Sequence, residues 1–368
     1  MVERSPARRS PGLCRQEPQN TPLAPRRVLV KEVNWLGDLV MSIPALRAIR
    51  SAFPQARLSV LIRSELAGFF EGIEWIDEVI SYTTRRGTGG IVELRRIVRQ
   101  IRQHHFDLGI LFPNSFSSAL WMWMAGVPRR VGYATDGRRF LLTDWVAPRP
   151  EILAAPQGQY WIGLLRETLR ISPSSDGVES KLKALPQSVA RVRLWLEVER
   201  RRPGCPLIAV APAAAYGPAK EWPPASYAAL LDLLSARGAE CVLVGASSEQ
   251  VKCEQIAAMA KAGAIVAAGA TNVTELNALL SLCDGFAGND SGAMHLAAAV
   301  GIPTVGIFGS TNPARTGPQG PRAIVIYHQL DCSPCLKRTC RFGHYECLRG
   351  IEPAEVVTAL ERAGALRQ

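Results

Sequence analysis

Short apolar runs alternate with amphipathic stretches from Arg27 almost to the end of the chain. Residues 28–33, 58–62, 76–82 and 108–112 read as strands, the last of them buried. Between them, Leu39, Ile43, Leu46 and Ile49 recur at helical spacing in residues 38–52. Residues 90–104 read as a helix with a basic face of Arg95, Arg96, Arg99 and Arg102, and residues 117–125 as another helix. Residues 173–204 break the rhythm with Pro173, Ser174, Ser175, Asp176, Gly177, Pro186 and Pro203 around one amphipathic helix at 189–199, as a domain connection would. Strands are then expected at 207–211, 241–245, 264–268, 285–288 and 304–308, and helices at 224–236, 248–262, 273–282, 293–300 and 353–363. Strands alternating with helices predict parallel sheets covered on both faces. The chain therefore reads as an α/β protein with two doubly wound domains, 27–172 and 205–351, facing one cleft.

In such a fold, ligands meet the loops that follow the strands. The segment 288–309, GNDSGAMHLAAAVGIPTVGIFG, contains a strand end, a polar turn, a small-residue helix and the next strand. Free N–H groups and the helix dipole at Ser291 and Gly292 suit a phosphate. Asp290 and His295 stand at the same helix start, where a carboxylate can accept hydrogen bonds from sugar hydroxyls; Asp290 or Ser291 would serve equally as a helix cap. Trp35-Leu36-Gly37-Asp38 follows the first strand, with Gly37 permitting close approach and Asp38 placed as a general base or as an N-cap. Lys220 is the single cation of the bare loop 211–222 and suits a phosphate contact or an ordinary solvated surface. Glu249 lies in the corresponding place after the next strand, as a ribose ligand or a first-turn acid. The loop 113–118 brings Asn114 and Ser115 to the cleft side of the first domain, as sugar ligands or as helix caps.

The net charge of +11 points to an anionic partner: a nucleotide, a phosphorylated glycan, an anionic membrane or a nucleic acid. No GxGxxG follows a strand and no GxxxxGK[ST] occurs, which disfavours a dinucleotide oxidoreductase or a P-loop NTPase. No apolar run is long enough to span a membrane. Residues 1–26, rich in Pro and Arg without an apolar segment, are expected to be a disordered basic tail and not a secretory signal. The scattered cysteines then suit a reduced, cytoplasmic protein. Cys332, Cys335, Cys340 and Cys347 cluster near the end with His344, a set that can hold a structural zinc, form a disulfide or remain free thiols. Arg129, Arg130, Arg138 and Arg139 form a second basic group, available to an acidic acceptor or to solvent.

Together the blocks WLGDLVMSIP, LFPNSFSSAL, APAAAYGPAKEWP, GNDSGAMHLAAA and the CSPC…C..GH..C tail resemble the ADP-heptose:lipopolysaccharide heptosyltransferase family, in its order and over nearly all of the folded chain. Ala213, Ala214 and Ala215, where type I members carry hydroxyl residues, are similar to the type II branch. The resemblance implies a GT-B fold of two Rossmann-like domains, with the C-terminal helix of residues 352–368 packing back on the N-terminal domain. It implies an inverting transferase that needs no cofactor for catalysis. The donor would be ADP-heptose and the acceptor of the Kdo2-lipid A-heptose type, met by a cytoplasmic protein in peripheral contact with the inner membrane surface. By the same resemblance Asp38 is the base, Lys220 the phosphate ligand, Glu249 the nucleotide-side acid, and Asp290, Ser291, Gly292 and His295 the donor-sugar and diphosphate loop. The alternatives are another nucleotide-sugar transferase of this fold and, in a different class, a basic nucleic-acid-binding protein with a structural zinc; no stacking-aromatic pattern of a nucleic-acid module supports the latter.

Overall fold

The computed structural model describes residues 25–83, 88–173 and 182–366. Apart from residues 25 and 26, the basic tail lies outside the described residues. Twelve strands are described: β1 (Arg27–Lys31), β2 (Arg57–Arg63), β3 (Glu78–Tyr82), β4 (Leu108–Leu111), β5 (Arg129–Tyr133), β6 (Asp144–Val146), β7 (Leu207–Ala211), β8 (Glu240–Leu243), β9 (Ile265–Val266), β10 (Gly285–Asn289), β11 (Thr304–Phe308) and β12 (Ala323–Tyr327). They form two six-stranded sheets ordered β3-β2-β1-β4-β5-β6 and β12-β11-β10-β7-β8-β9. Every pairing is parallel. Counted from its own first strand, the second sheet repeats the order of the first. The order reverses between β1 and β4 in one domain and between β7 and β10 in the other. At these two switch points the carboxyl ends of neighbouring strands open a crevice.

One apolar cluster runs from the first sheet into the second. The helix Leu36–Ala52 carries it across. Gly37 and ten further residues between Leu39 and Ile49 are buried, because this helix packs on Gln157–Leu169 behind it and on Gly292–Val300 of the other domain. At the seam the backbones nearly touch. A Cβ on Gly37 would lie 2.7 Å from His295 Cδ2, and one on Gly292 would lie 2.7 Å from Leu36 Cβ. Glycine is required at both positions by the other domain.

Two boundaries differ from the sequence reading. The helix Pro186–Glu199, read as part of a linker, packs on Val273–Ser281 and so belongs to the second domain. The closing helix Pro353–Ala363 does not return to the first domain. Its apolar face, Val356, Val357 and Leu360, packs with Ile208, Leu230 and Leu234 in the second, where Ala365 fills the space left by Gly285. Among the described residues, no helix is long and apolar enough to cross a membrane.

Candidate functional site

Four strand ends meet at the two switch points, and most of the expected site residues lie there. After β1 the helix Leu36–Ala52 begins with Trp35 at its N-cap, which makes no side-chain cap. Asp38 is therefore not the cap but a half-buried first-turn carboxylate, and it accepts no hydrogen bond from a described residue. Burial raises its pKa; Asp290 adds to the rise, while His295, Lys220 and Arg315 oppose it. A desolvated carboxylate with free lone pairs is a competent proton acceptor.

Across the cleft, β10 ends in Asn289, and Asp290 follows it. The Asp290 carboxylate does not cap the helix Gly292–Val300. One oxygen accepts Lys220 Nζ at 2.6 Å, Thr311 Oγ1 at 2.7 Å and Thr316 Oγ1 at 3.3 Å. His295 Nε2 lies 3.7 Å from the other, an electrostatic contact longer than a hydrogen bond. Burial alone would raise this carboxyl, but His295 and Lys220 outweigh it and hold it at about 2. Ser291 is the N-cap residue, and its buried hydroxyl has no partner, so the helix start keeps donors unspent. Lys220, Asp290, Ser291, Gly292 and His295 thus form one assembly facing Asp38.

Asn289, the polar residue that follows the apolar part of β10, anchors the opposite loop. Its side chain accepts from Trp222 N at 3.0 Å and Tyr227 Oη at 2.8 Å, and donates to Pro212 O at 2.8 Å. This fully buried amide ties β10 to the loop that carries Lys220. A second brace comes from the cysteine segment. Tyr216 Oη donates to Leu336 O at 2.8 Å, and Ala219 N to Arg338 O at 3.0 Å. Gly217, at a φ of +141°, leaves room for that same carbonyl, since a Cβ there would lie 2.7 Å from Arg338 O.

The remaining expectations divide. On the first domain, Asn114 and Tyr160 hydrogen-bond through their side chains at 2.9 and 3.1 Å. Ser115 is an N-cap residue without a side-chain cap; its carbonyl accepts from Ser118 Oγ and Arg138. Both remain exposed on the cleft side. Glu249 stands apart from the Lys220–Asp290 assembly, with its Oε2 accepting Ala246 N at 2.8 Å as a first-turn acid. The arginine group near β5 is structural. Arg129 pairs with Asp144 at 2.8 Å, Arg130 donates to main-chain carbonyls, and Arg139 covers Trp145. Arg138 is fully buried and gathers the carbonyls of Pro113, Ser115 and Tyr133, so it holds the Asn114 loop from behind.

The four clustered thiols are close enough to influence one another. Burial, then Cys332, Cys335 and Cys340, push the Cys347 thiol up to about 11. All four are free. Among the described residues, however, no three His, Cys, Asp or Glu groups converge as a metal requires. His344 Nδ1 accepts Glu346 N, which in the neutral ring puts the proton on Nε2, 4.0 Å from Cys332 Sγ.

Residues missed by sequence reasoning include Arg315 and Gln157. Arg315, in the short helix Pro313–Thr316, reaches across the cleft, with its Nε and Nη2 at 3.2 and 3.0 Å from Gln157 Oε1. Its only sequence signal is an Asn-Pro helix start after β11.

Residues 94–346 match the family model for glycosyltransferase family 9 (heptosyltransferase). Lipopolysaccharide heptosyltransferase 2 of Escherichia coli strain K12 is 27% identical over 352 residues, covering 91% of this chain and 97% of that protein. Lipooligosaccharide heptosyltransferase 2 of Haemophilus ducreyi is 27% identical over 350 residues, with coverage of 91% and 99%. Among solved structures, E. coli ADP-heptose lps heptosyltransferase II superposes with a TM-score of 0.79 at 26% identity, covering 92% of this chain and 98% of its own.

Proposed function

Because this chain belongs to glycosyltransferase family 9, a family of heptosyltransferases with the GT-B fold, we propose that it transfers L-glycero-D-manno-heptose from ADP-heptose to the inner core of lipopolysaccharide. The relatives named heptosyltransferase 2 support addition of the second heptose, onto heptose I of a Kdo2-lipid A-heptose acceptor. The family match favours this over the nucleic-acid alternative.

One observation carries the mechanism: a carboxylate free of hydrogen bonds, Asp38, faces a phosphate-suited assembly of Lys220 and the Ser291–Gly292 helix start. Asp38 takes the proton of the acceptor hydroxyl. The acceptor oxygen bonds to the anomeric carbon from the face opposite the diphosphate, the carbon–oxygen bond to ADP breaks, and ADP leaves with the electron pair. One displacement inverts the anomeric centre. Lys220 and the helix N–H groups meet the charge that develops on the departing diphosphate. Asp290 orients Lys220, and its low pKa keeps it ionised throughout. Asn114 and Ser115 are placed to hold acceptor hydroxyls. Glu249 is assigned to the nucleotide side, where its second oxygen is available for a ribose.

No catalytic cofactor is assigned. Any zinc at the thiols would be structural, and metal analysis of the purified protein decides its presence. The protein is assigned to the cytoplasmic face of the inner membrane, where its lipid-linked acceptor lies. Mass spectrometry of lipopolysaccharide from a strain lacking this protein tests the reading. A core ending at heptose I supports it; an unchanged core contradicts it.

A further inference from the structure

The cleft holds two cations of interest, and their partners differ in charge. Lys220 is neutralised by Asp290 at 2.6 Å. Arg315 meets only the neutral Gln157 oxygen and has no carboxylate partner among the described residues. Elsewhere the arginines Arg50, Arg129, Arg149, Arg191 and Arg200 are each paired with an acid. The backbone under Arg315 is fixed. Asn312 caps its helix through Ala314 N at 3.0 Å, and Thr311 and Thr316 on either side both donate to Asp290. The carboxylate that orients Lys220 therefore also sets Arg315. The guanidinium lies close enough to act electrostatically on Asp38 and on Tyr160, so it sits between the donor and acceptor sides. Two buried hydroxyls in the loops that follow β10 and β11, those of Ser291 and Ser310, have no hydrogen-bond partner.

We infer that Arg315 is a phosphate-binding residue of the cleft, held by Gln157 until an anionic ligand displaces the amide. A guanidinium presents five donors in a fork suited to phosphate, and one neutral oxygen uses only part of it. The inference deepens the heptosyltransferase reading, because a diphosphate on the donor and a phosphate on the acceptor are the two ligands that supply this chemistry.

Binding of ADP and of inorganic pyrophosphate is measured by calorimetry, and acceptor KM and kcat by sugar transfer. The proteins are the full-length wild type, Arg315→Gln, Arg315→Lys and Gln157→Glu. Loss of one charge-assisted contact predicts about ten- to hundredfold weaker binding for Arg315→Gln, with partial recovery in Arg315→Lys. Gln157→Glu is the decisive variant. It strengthens the tie to Arg315 but quenches its charge, so a phosphate ligand predicts weakening here too. Weaker ADP binding places Arg315 on the donor, while a higher acceptor KM alone places it on the acceptor. Arg315-dependent pyrophosphate binding in a wild type that ignores ADP would remove the nucleotide-sugar reading and leave the inference standing. The inference is overturned if Arg315→Gln binds and reacts like wild type, or if Gln157→Glu does so while Arg315→Gln is impaired, since Arg315 would then only clasp the domains.

Discussion

At the scale of single residues, the site depends on two carboxylates driven in opposite directions. Asp38 is raised by burial, whereas Asp290 is held at about 2 by His295 and Lys220. Asp290 therefore cannot account for a titration above the ordinary aspartate range, and Asp38 can. The acidic limb of the kcat/KM profile should lie above the ordinary aspartate value of about 3.9, with activity rising as Asp38 loses its proton. A limb at or below that value, in a wild type that remains folded there, would dissociate Asp38 from the rate. Lys220→Ala should weaken ADP binding by about 1.5–3 kcal/mol, read by calorimetry, because it removes a cation and leaves Asp290 without its charged partner. Asp38, Lys220, Asp290 and His295 were legible because each follows an apolar strand run. Arg138 was not, since buried and surface arginines share one letter and only the packing of the Asn114 loop distinguishes them. Arg315 escaped because its partner lies 158 positions away.

At the scale of elements, the cysteine segment differs most from its expected role. Its thiols are what the sequence singles out, but its main-chain carbonyls at Leu336 and Arg338 brace the Lys220 loop. Gly217→Ala combines an unfavourable positive φ with a Cβ placed 2.7 Å from the Arg338 carbonyl. Strain of about 1–3 kcal/mol should detach the loop from its brace. Steady-state kinetics should show donor KM rising about tenfold with a smaller change in kcat. An unchanged donor KM would show that the brace does not shape the site. Strands with buried apolar runs, such as β7 and β11, were legible to the residue. Edge strands were less so: β6 has three half-buried residues, and β9 shrinks to Ile265–Val266 from an expected five. The helix Gln157–Leu169 was missed because six consecutive residues, Tyr160 to Leu165, are buried, which erases the helical period.

For the whole molecule, the two repeated sheets were legible from the alternation of strands and helices, but the seam between them was not. Gly37 and Gly292 read as turn residues; their need for space comes from the opposite domain. Gly292→Ala should drive Leu36 away from the helix start and separate Asp38 from the donor loop. A displacement of about 1 Å can cost 10²-fold in rate. Transfer should therefore fall by more than ADP binding, because an alanine at position 292 keeps the backbone N–H proposed for the diphosphate; equal loss of both would place the damage at the helix start itself. The central claim is that this cleft transfers heptose with Asp38 as the base. It is tested most directly by incubating purified protein with ADP-heptose and a Kdo2-lipid A-heptose acceptor, following the product by mass spectrometry for wild type and Asp38→Asn. The account predicts one added heptose with wild type, and a rate roughly 10²–10⁴-fold lower for Asp38→Asn at unchanged ADP affinity. Near-wild-type turnover by Asp38→Asn, or no heptose added by the wild type, would contradict it.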